Sequence, residues 1–290
     1  MDTYDAYQAI TDVTEDQRWA FGAAFDDPLS GVDTTIPDGV VGADLGAYCE
    51  MLGDDALLVS HRLQQWVAHA PELEEEAALA NIALDLLGQA RFLLARAGTV
   101  DGSGRTEDDY AFQRGAAQFR HVRLVELVDS DFGVAMARLL VFSTWRLAVL
   151  DRLRASRDPV LAAIADKGVK EVTYHREYAA QWVIRLGDGT ELSHRRVQAG
   201  LDQIAPFVGE LFTDSDVETR LAAVGVGVRP SETRAEFDAV LDTVLSAATL
   251  RCPAWSAPGG ATRTAGDRDT LRRLLVELQS VARAHPGATW

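Results

Sequence analysis

The stretch LGDDALLVSHRLQQWVAHAPELEEEAALANIALDLLGQAR, Leu52–Arg91, decides the fold. In its first half Leu52, Ala56, Val59, Leu63 and Trp66 recur at alternating spacings of four and three. That period puts them on one face and predicts a helix over Asp44–His69. Pro71 ends this helix and opens the next, because its fixed φ suits a first helical turn and it has no N–H to leave unpaired. Glu72, Glu74, Glu75 and Glu76 follow at the positive end of the macrodipole, where carboxylates stabilise a helix and stay solvated. The second helix runs to about Arg96 with Leu79, Ile82, Leu86 and Leu93 facing inward, and Gly98 reads as its stop.

Outward from this hairpin the same period continues. A polar, Gly-rich connection (Thr99–Asp109) leads to a mixed stretch, Tyr110–Val128, with room for one short helix. A third helix is predicted over Phe132–Ser156 on Ala135, Leu139, Phe142, Val149 and Leu153. Asp158-Pro159 starts a fourth, which runs to Leu186 on Ala165, Gly168, Val172, His175, Ala179 and Trp182. Gly187-Asp188-Gly189 stops it. A fifth covers Ser193–Phe212, and shorter helices are expected at 231–249 and 267–284, with a loop from Pro253 to Gly266. No strand alternation of useful length occurs. Four helices of about 25 residues, each roughly 37 Å long, form two hairpins joined by one long crossover. That is ferritin-like topology. The fold expected is therefore all-α: a ferritin-like four-helix bundle with additional C-terminal helices. The domain is expected over 43–290, preceded by an extended arm, 1–42, with turn-formers at Asp27-Pro28, Ser30-Gly31 and Pro37-Asp38-Gly39 and one short helix.

Composition narrows the function classes. The chain has 290 residues, 47% of them apolar, and a formal net charge of −16. A nucleic acid or an anionic membrane needs a basic face, so neither is an expected partner. Cys49 and Cys252 lie far apart with no C-x-x-C motif, which fits a reducing compartment. The N-terminal MDTYDAYQAITDVTEDQRW lacks the pattern of a secretion signal, and no apolar run approaches the roughly 20 residues of a membrane span. The expectation is a cytoplasmic protein. G-x-S-x-G, P-loop and G-x-G-x-x-G motifs are absent, and Gly225-Val226-Gly227 follows no strand.

A bundle of this topology invites a search for a carboxylate-bridged di-iron centre. Such a centre needs a Glu from each of two helices and a Glu-x-x-His pair from each of the others, because i, i+3 spacing aims both side chains at one metal pair. Glu171 and His175 stand at i, i+4 instead. Asp85 and Gln89 occupy the comparable place on the second helix, with Gly88 where a histidine would be wanted. The first helix offers Asp54 or Asp55. The third carries Arg146 on its inner stripe, and a fixed cation there is incompatible with iron a few ångströms away. Asp54, Asp85, Glu171 and His175 thus read either as a degenerate metal site or as a polar centre in which Arg146 pairs with Glu171 or Asp85. Partial exposure with no particular role is the third reading. His61 and His69 lie on or just past the first helix, and His121, His194 and His285 have no acidic or histidine neighbour at ligand spacing; each reads as a surface or capping residue.

Several segments together resemble the C-type subunits of bacterial phenylacetyl-CoA epoxidases: Leu52–Leu57 (LGDDAL), His69–Glu74 (HAPELE), Asn81–Arg91 (NIALDLLGQAR), Ser156–Pro159 (SRDP) and Lys170–Thr190 (KEVTYHREYAAQWVIRLGDGT). The resemblance spans roughly 45–250, and Leu275–Gly287 (LVELQSVARAHPG) resembles the family's C-terminal helix. It implies a non-catalytic, ferritin-like subunit of an oxidoreductase that adds one oxygen atom of O₂ to the ring of phenylacetyl-CoA. It further implies a paralogous A-type subunit holding the di-iron centre, a bridging B-type subunit and a flavin/iron–sulfur reductase, with no cofactor in this chain. Self-association when alone is a further possibility. The competing readings are a self-sufficient di-iron or di-manganese enzyme, an iron-storage cage, and an oxygenase for another acyl-CoA. Trp182 and Tyr178 are candidate interface aromatics, with a plain core role the favoured reading of Trp182.

Overall fold

The computed structural model describes residues 29–257, 263, 268–286 and 288. Among them the chain forms α1 (Gly42–Gln64), α2 (Leu73–Val100), α3 (Phe132–Leu153), α4 (Pro159–Gly187), α5 (Glu191–Val208), α6 (Asp216–Ala223), α7 (Arg234–Ala247) and α8 (Arg268–Ala284). No strand occurs among the described residues. The short helix expected in the arm falls mostly outside them. The arm's described part, 29–41, is a pair of turns, and Arg96 on α2 donates to the Thr34 carbonyl at 2.6 Å and holds it to the bundle.

Contacts along the helices define the topology. Arg146 on α3 reaches the Leu52 carbonyl on α1, while Trp66 just beyond α1 packs edge-on against Phe132 at the start of α3, with ring centroids 5.8 Å apart. Moving up α1 is thus moving down α3. On the other seam Gln89 of α2 meets Glu171 of α4, and Asp85, one turn back, meets His175, one turn on. These two helices are antiparallel as well. The chain between α2 and α3 therefore travels the whole length of the bundle, which is the ferritin-like arrangement. On the way it forms one π turn, Asp109–Gln113, and two 3-10 turns, Ala116–Gln118 and Arg123–Glu126, where one short helix was expected.

Local chemistry accounts for the ends. Asp158 accepts from the Leu161 N–H at 2.8 Å as N-cap of α4 and also takes Arg96 at 2.5 Å, so one carboxylate starts a helix and ties it to α2. Asp131 caps α3, and Thr190 and Ser215 form capping boxes on α5 and α6. α1 ends five residues earlier than expected, in a turn where Ala68 adopts φ 75°. Gly98 does not stop α2. It lies inside the helix, and a Cβ there would overlap the Arg105 carbonyl oxygen, so glycine is needed for a close approach of the returning chain. The eight-residue α6 was not anticipated. α2 and α3 are each long and apolar enough by composition to cross a membrane, contrary to the expectation that no run comes close. α3 is almost wholly buried as the bundle's core helix.

The core takes large apolar residues from every helix, among them Leu45, Ile82, Phe142, Trp145, Val172, Leu201 and Phe237, all nearly inaccessible. α5 packs closely on α3, with Gly200 against Val134. α8 lies over the crossover, where Gln279 donates to the Ala111 and Arg114 carbonyls at 2.8 and 3.0 Å.

Candidate functional site: the polar centre of the bundle

The residues nominated from sequence fall into three groups. At the centre, Arg146 is fully buried. Its Nε donates to Gln89 Oε1 at 2.9 Å and one Nη to the Leu52 carbonyl at 3.2 Å. Gln89 Nε2 in turn donates to Glu171 at 2.8 Å, and Lys167 sits 3.2 Å from the same carboxylate. The expected direct pairing of Arg146 with Glu171 or Asp85 is thus corrected. The Gln89 amide stands between cation and carboxylate, accepting from the guanidinium and donating to Glu171. Burial pulls the Arg146 guanidinium down to about 10, with Asp55 and then Glu171 opposing. It remains protonated at neutral pH.

His175, almost fully buried, and Asp85, about a third exposed, form the second group at 3.0 Å, one turn along the α2–α4 seam. Gly88 does not face this centre: a Cβ there would meet nothing within 4 Å. Asp54 belongs to the third group and is turned away from Arg146. Both its oxygens are taken by Arg114 of the crossover, and the Arg120 N–H donates to it at 2.7 Å. Its neighbour Asp55 accepts from the Val122 N–H at 2.8 Å and from Arg263 at 3.0 Å. Arg263 also lies 3.3 Å from Glu218 on α6. Burial lowers Arg263, but Asp55 and Glu218 outweigh it and hold it above the ordinary arginine value.

Arg114 and Arg263 were not singled out from sequence. Arg114 lies in the crossover and Arg263 in the stretch read from sequence as a loop, and in neither does periodicity say which side chain turns inward. Two adjacent buried carboxylates on α1 were the available signal, since buried charges require partners. Among the other histidines, His194 caps α4 through its Nδ1 and the Gly187 carbonyl at 2.7 Å, as expected. His121 is neither surface nor cap; it is buried and meets Glu126 at 3.0 Å. Trp182 is half-buried, edge-on to Phe132 at 5.0 Å, while Tyr174 and Tyr178 stack at 6.4 Å and Tyr174 is half-exposed.

A di-iron pair does not fit this centre. Two carboxylates on the first helix already have arginine partners, the third helix supplies a cation, and the second supplies an amide whose two ends are both used. What the arrangement can do is hold four helices in register through charge-assisted hydrogen bonds.

Fold and centre together define a ferritin-like bundle whose polar centre is an arginine–glutamine–glutamate chain. Comparison with known proteins is more specific. The family model of phenylacetic acid catabolic proteins, which covers A- and C-type subunits, matches residues 39–290. The chain belongs to that family. It is 39% identical over 246 residues to the C-type subunit of the 1,2-phenylacetyl-CoA epoxidase of Escherichia coli K12, covering 85% of this chain and 99% of that one.

Proposed function

We propose that this chain is the C-type subunit of a phenylacetyl-CoA epoxidase, a multisubunit oxygenase of phenylacetate catabolism, and that it acts there without a metal of its own. The observation that carries this reading is the end-to-end match to a C-type relative, 99% of which is covered. The Arg146–Gln89–Glu171 chain supports the metal-free part, because a buried guanidinium excludes a second cation nearby. The chemistry belongs to a paralogous A-type subunit with a di-iron centre. This chain packs along it and buttresses its ligand helices while a bulky thioester enters. A B-type subunit bridges, a reductase delivers electrons, and the assembly works in the cytoplasm. A self-sufficient di-metal oxygenase has no observation in its favour at the bundle centre.

The test is reconstitution. The A-type subunit with and without this chain is assayed for epoxidation of phenylacetyl-CoA in the presence of the B-type subunit and reductase. A stable complex of the A-type subunit with this chain, and turnover that depends on it, are expected. An A-type subunit that is soluble, stable and fully active alone overturns the supporting role.

A further inference from the structure

The last turns of α8 leave an open recess of about 440 Å³ beside the π turn of the crossover, separate from the polar centre. Phe112 of that turn and Leu278, Val281 and Ala282 of α8 make an apolar wall. The wall is open to solvent: Val281 is 54% exposed and Phe112 only partly buried. An apolar cavity of ~150 Å³ accepts one benzene ring, so a bicyclic ring fits here.

Two features select the occupant. The first is chemistry. Asp108 and Asp109 stand on the rim. Asp109 already accepts from the Thr106 N–H and hydroxyl, whereas Asp108 makes no hydrogen bond or ion pair among the described residues. An apolar wall with a carboxylate acceptor at its edge suits a side chain that is flat, apolar and a donor only, which is an indole. The second feature is the chain itself. Ala288, whose N–H donates to the His285 carbonyl at 3.1 Å, lines the same recess. Trp290, outside the described residues, follows two positions on, and covalent geometry keeps its Cα within about 7 Å of that of Ala288. A tether this short holds the indole at an effective concentration of roughly millimolar or more.

We propose that the recess is the socket of Trp290 of the same chain, with the indole against Phe112, Leu278 and Ala282 and its N–H on Asp108. Docked there, the indole latches the end of α8 to the crossover. It adds to the hold of Arg283, which donates to the Phe112 and Arg114 carbonyls at 2.9 and 3.0 Å. Arg114 in turn binds Asp54, so the latch steadies the grip of the crossover on α1. The socket is independent of the epoxidase reading, since every residue in it belongs to this chain.

The test is ¹⁹F NMR of the full chain grown with 5-fluorotryptophan. Six tryptophans give six signals, and Trp290→Phe identifies that of Trp290. This signal is expected away from the free-tryptophan position and protected from broadening by a soluble gadolinium chelate. Ala282→Phe fills the recess and should return the signal to the free position and expose it. Asp108→Ala removes the acceptor and should shift it part of the way. Trp290→Ala should lower the melting temperature of the wild-type chain and leave that of Ala282→Phe unchanged. A Trp290 signal at the free position, fully broadened by the chelate, overturns the proposal. So does protection that survives Ala282→Phe. Protection that grows with protein concentration overturns it too, because the indole then sits in the recess of a second copy. An unchanged signal in Asp108→Ala overturns the assigned acceptor.

Discussion

At the scale of single residues, the bundle's centre rests on Arg146 and on the amide that serves it. Arg146→Ala removes a buried cation together with its packing and strands Gln89, so unfolding stability should fall by about 3–5 kcal/mol. Arg146→Met combined with Gln89→Leu removes both polar partners and retains volume, and should cost less than Arg146→Ala alone. Urea midpoints for the two variants check this; a double variant as unstable as Arg146→Ala would show that the polar chain itself, not its completeness, holds the centre. A second residue carries a pH signature. Burial holds His61 below the ordinary histidine value, with Glu277 opposing and Arg62 assisting. The unfolded chain titrates this group near ~6.5, so below that pH the unfolded state binds more protons and stability is lost as pH falls. His61→Asn should flatten the slope of stability against pH in that window, read from urea midpoints across a pH series. An unchanged slope would contradict the assigned burial.

At the scale of elements, Gly98 shows what a helix interior can hide. By intrinsic propensity Gly98→Ala should stabilise α2 by about 0.5–1 kcal/mol. The overlap with the Arg105 carbonyl reverses the sign, and a loss of about 1–3 kcal/mol is expected from the forced backbone shift. Urea denaturation of Gly98→Ala decides it. The same residue explains why the end of α2 was not legible. A glycine that ends a helix and one that admits a neighbouring chain look alike in a single sequence. The four long helices were legible because each buries a stripe of period 3.6 against the others, and Asp158-Pro159 marked a true start. The centre was half legible. Arg146 and Glu171 could be placed on inward faces from spacing, but the interposed Gln89 amide depends on side-chain reach across a seam. The first helix was expected to offer Asp54 or Asp55 to the bundle centre. Their actual partners, Arg114 and Arg263, come from the crossover and the segment before α8, where chain direction follows from packing and not from pattern.

At the scale of the whole molecule, a net charge of −16 sets the expectation for assembly. Like charge opposes close packing of two copies, and salt screens that repulsion. Any self-association of the isolated chain should therefore strengthen as salt rises, while the proposed complex with an A-type subunit should persist at low salt. Sedimentation of each across a salt series separates the two. The proposed function needs a bundle centre that holds a guanidinium and no metal pair. The measurement that tests it most directly is elemental analysis of the full chain purified, without a chelating tag, from iron-supplemented cells. Iron should stay below about one atom per ten chains, because the Arg146 guanidinium repels it. A stoichiometric pair of irons per chain would contradict the account and make Asp54, Asp85, Glu171 and His175 the residues to mutate next.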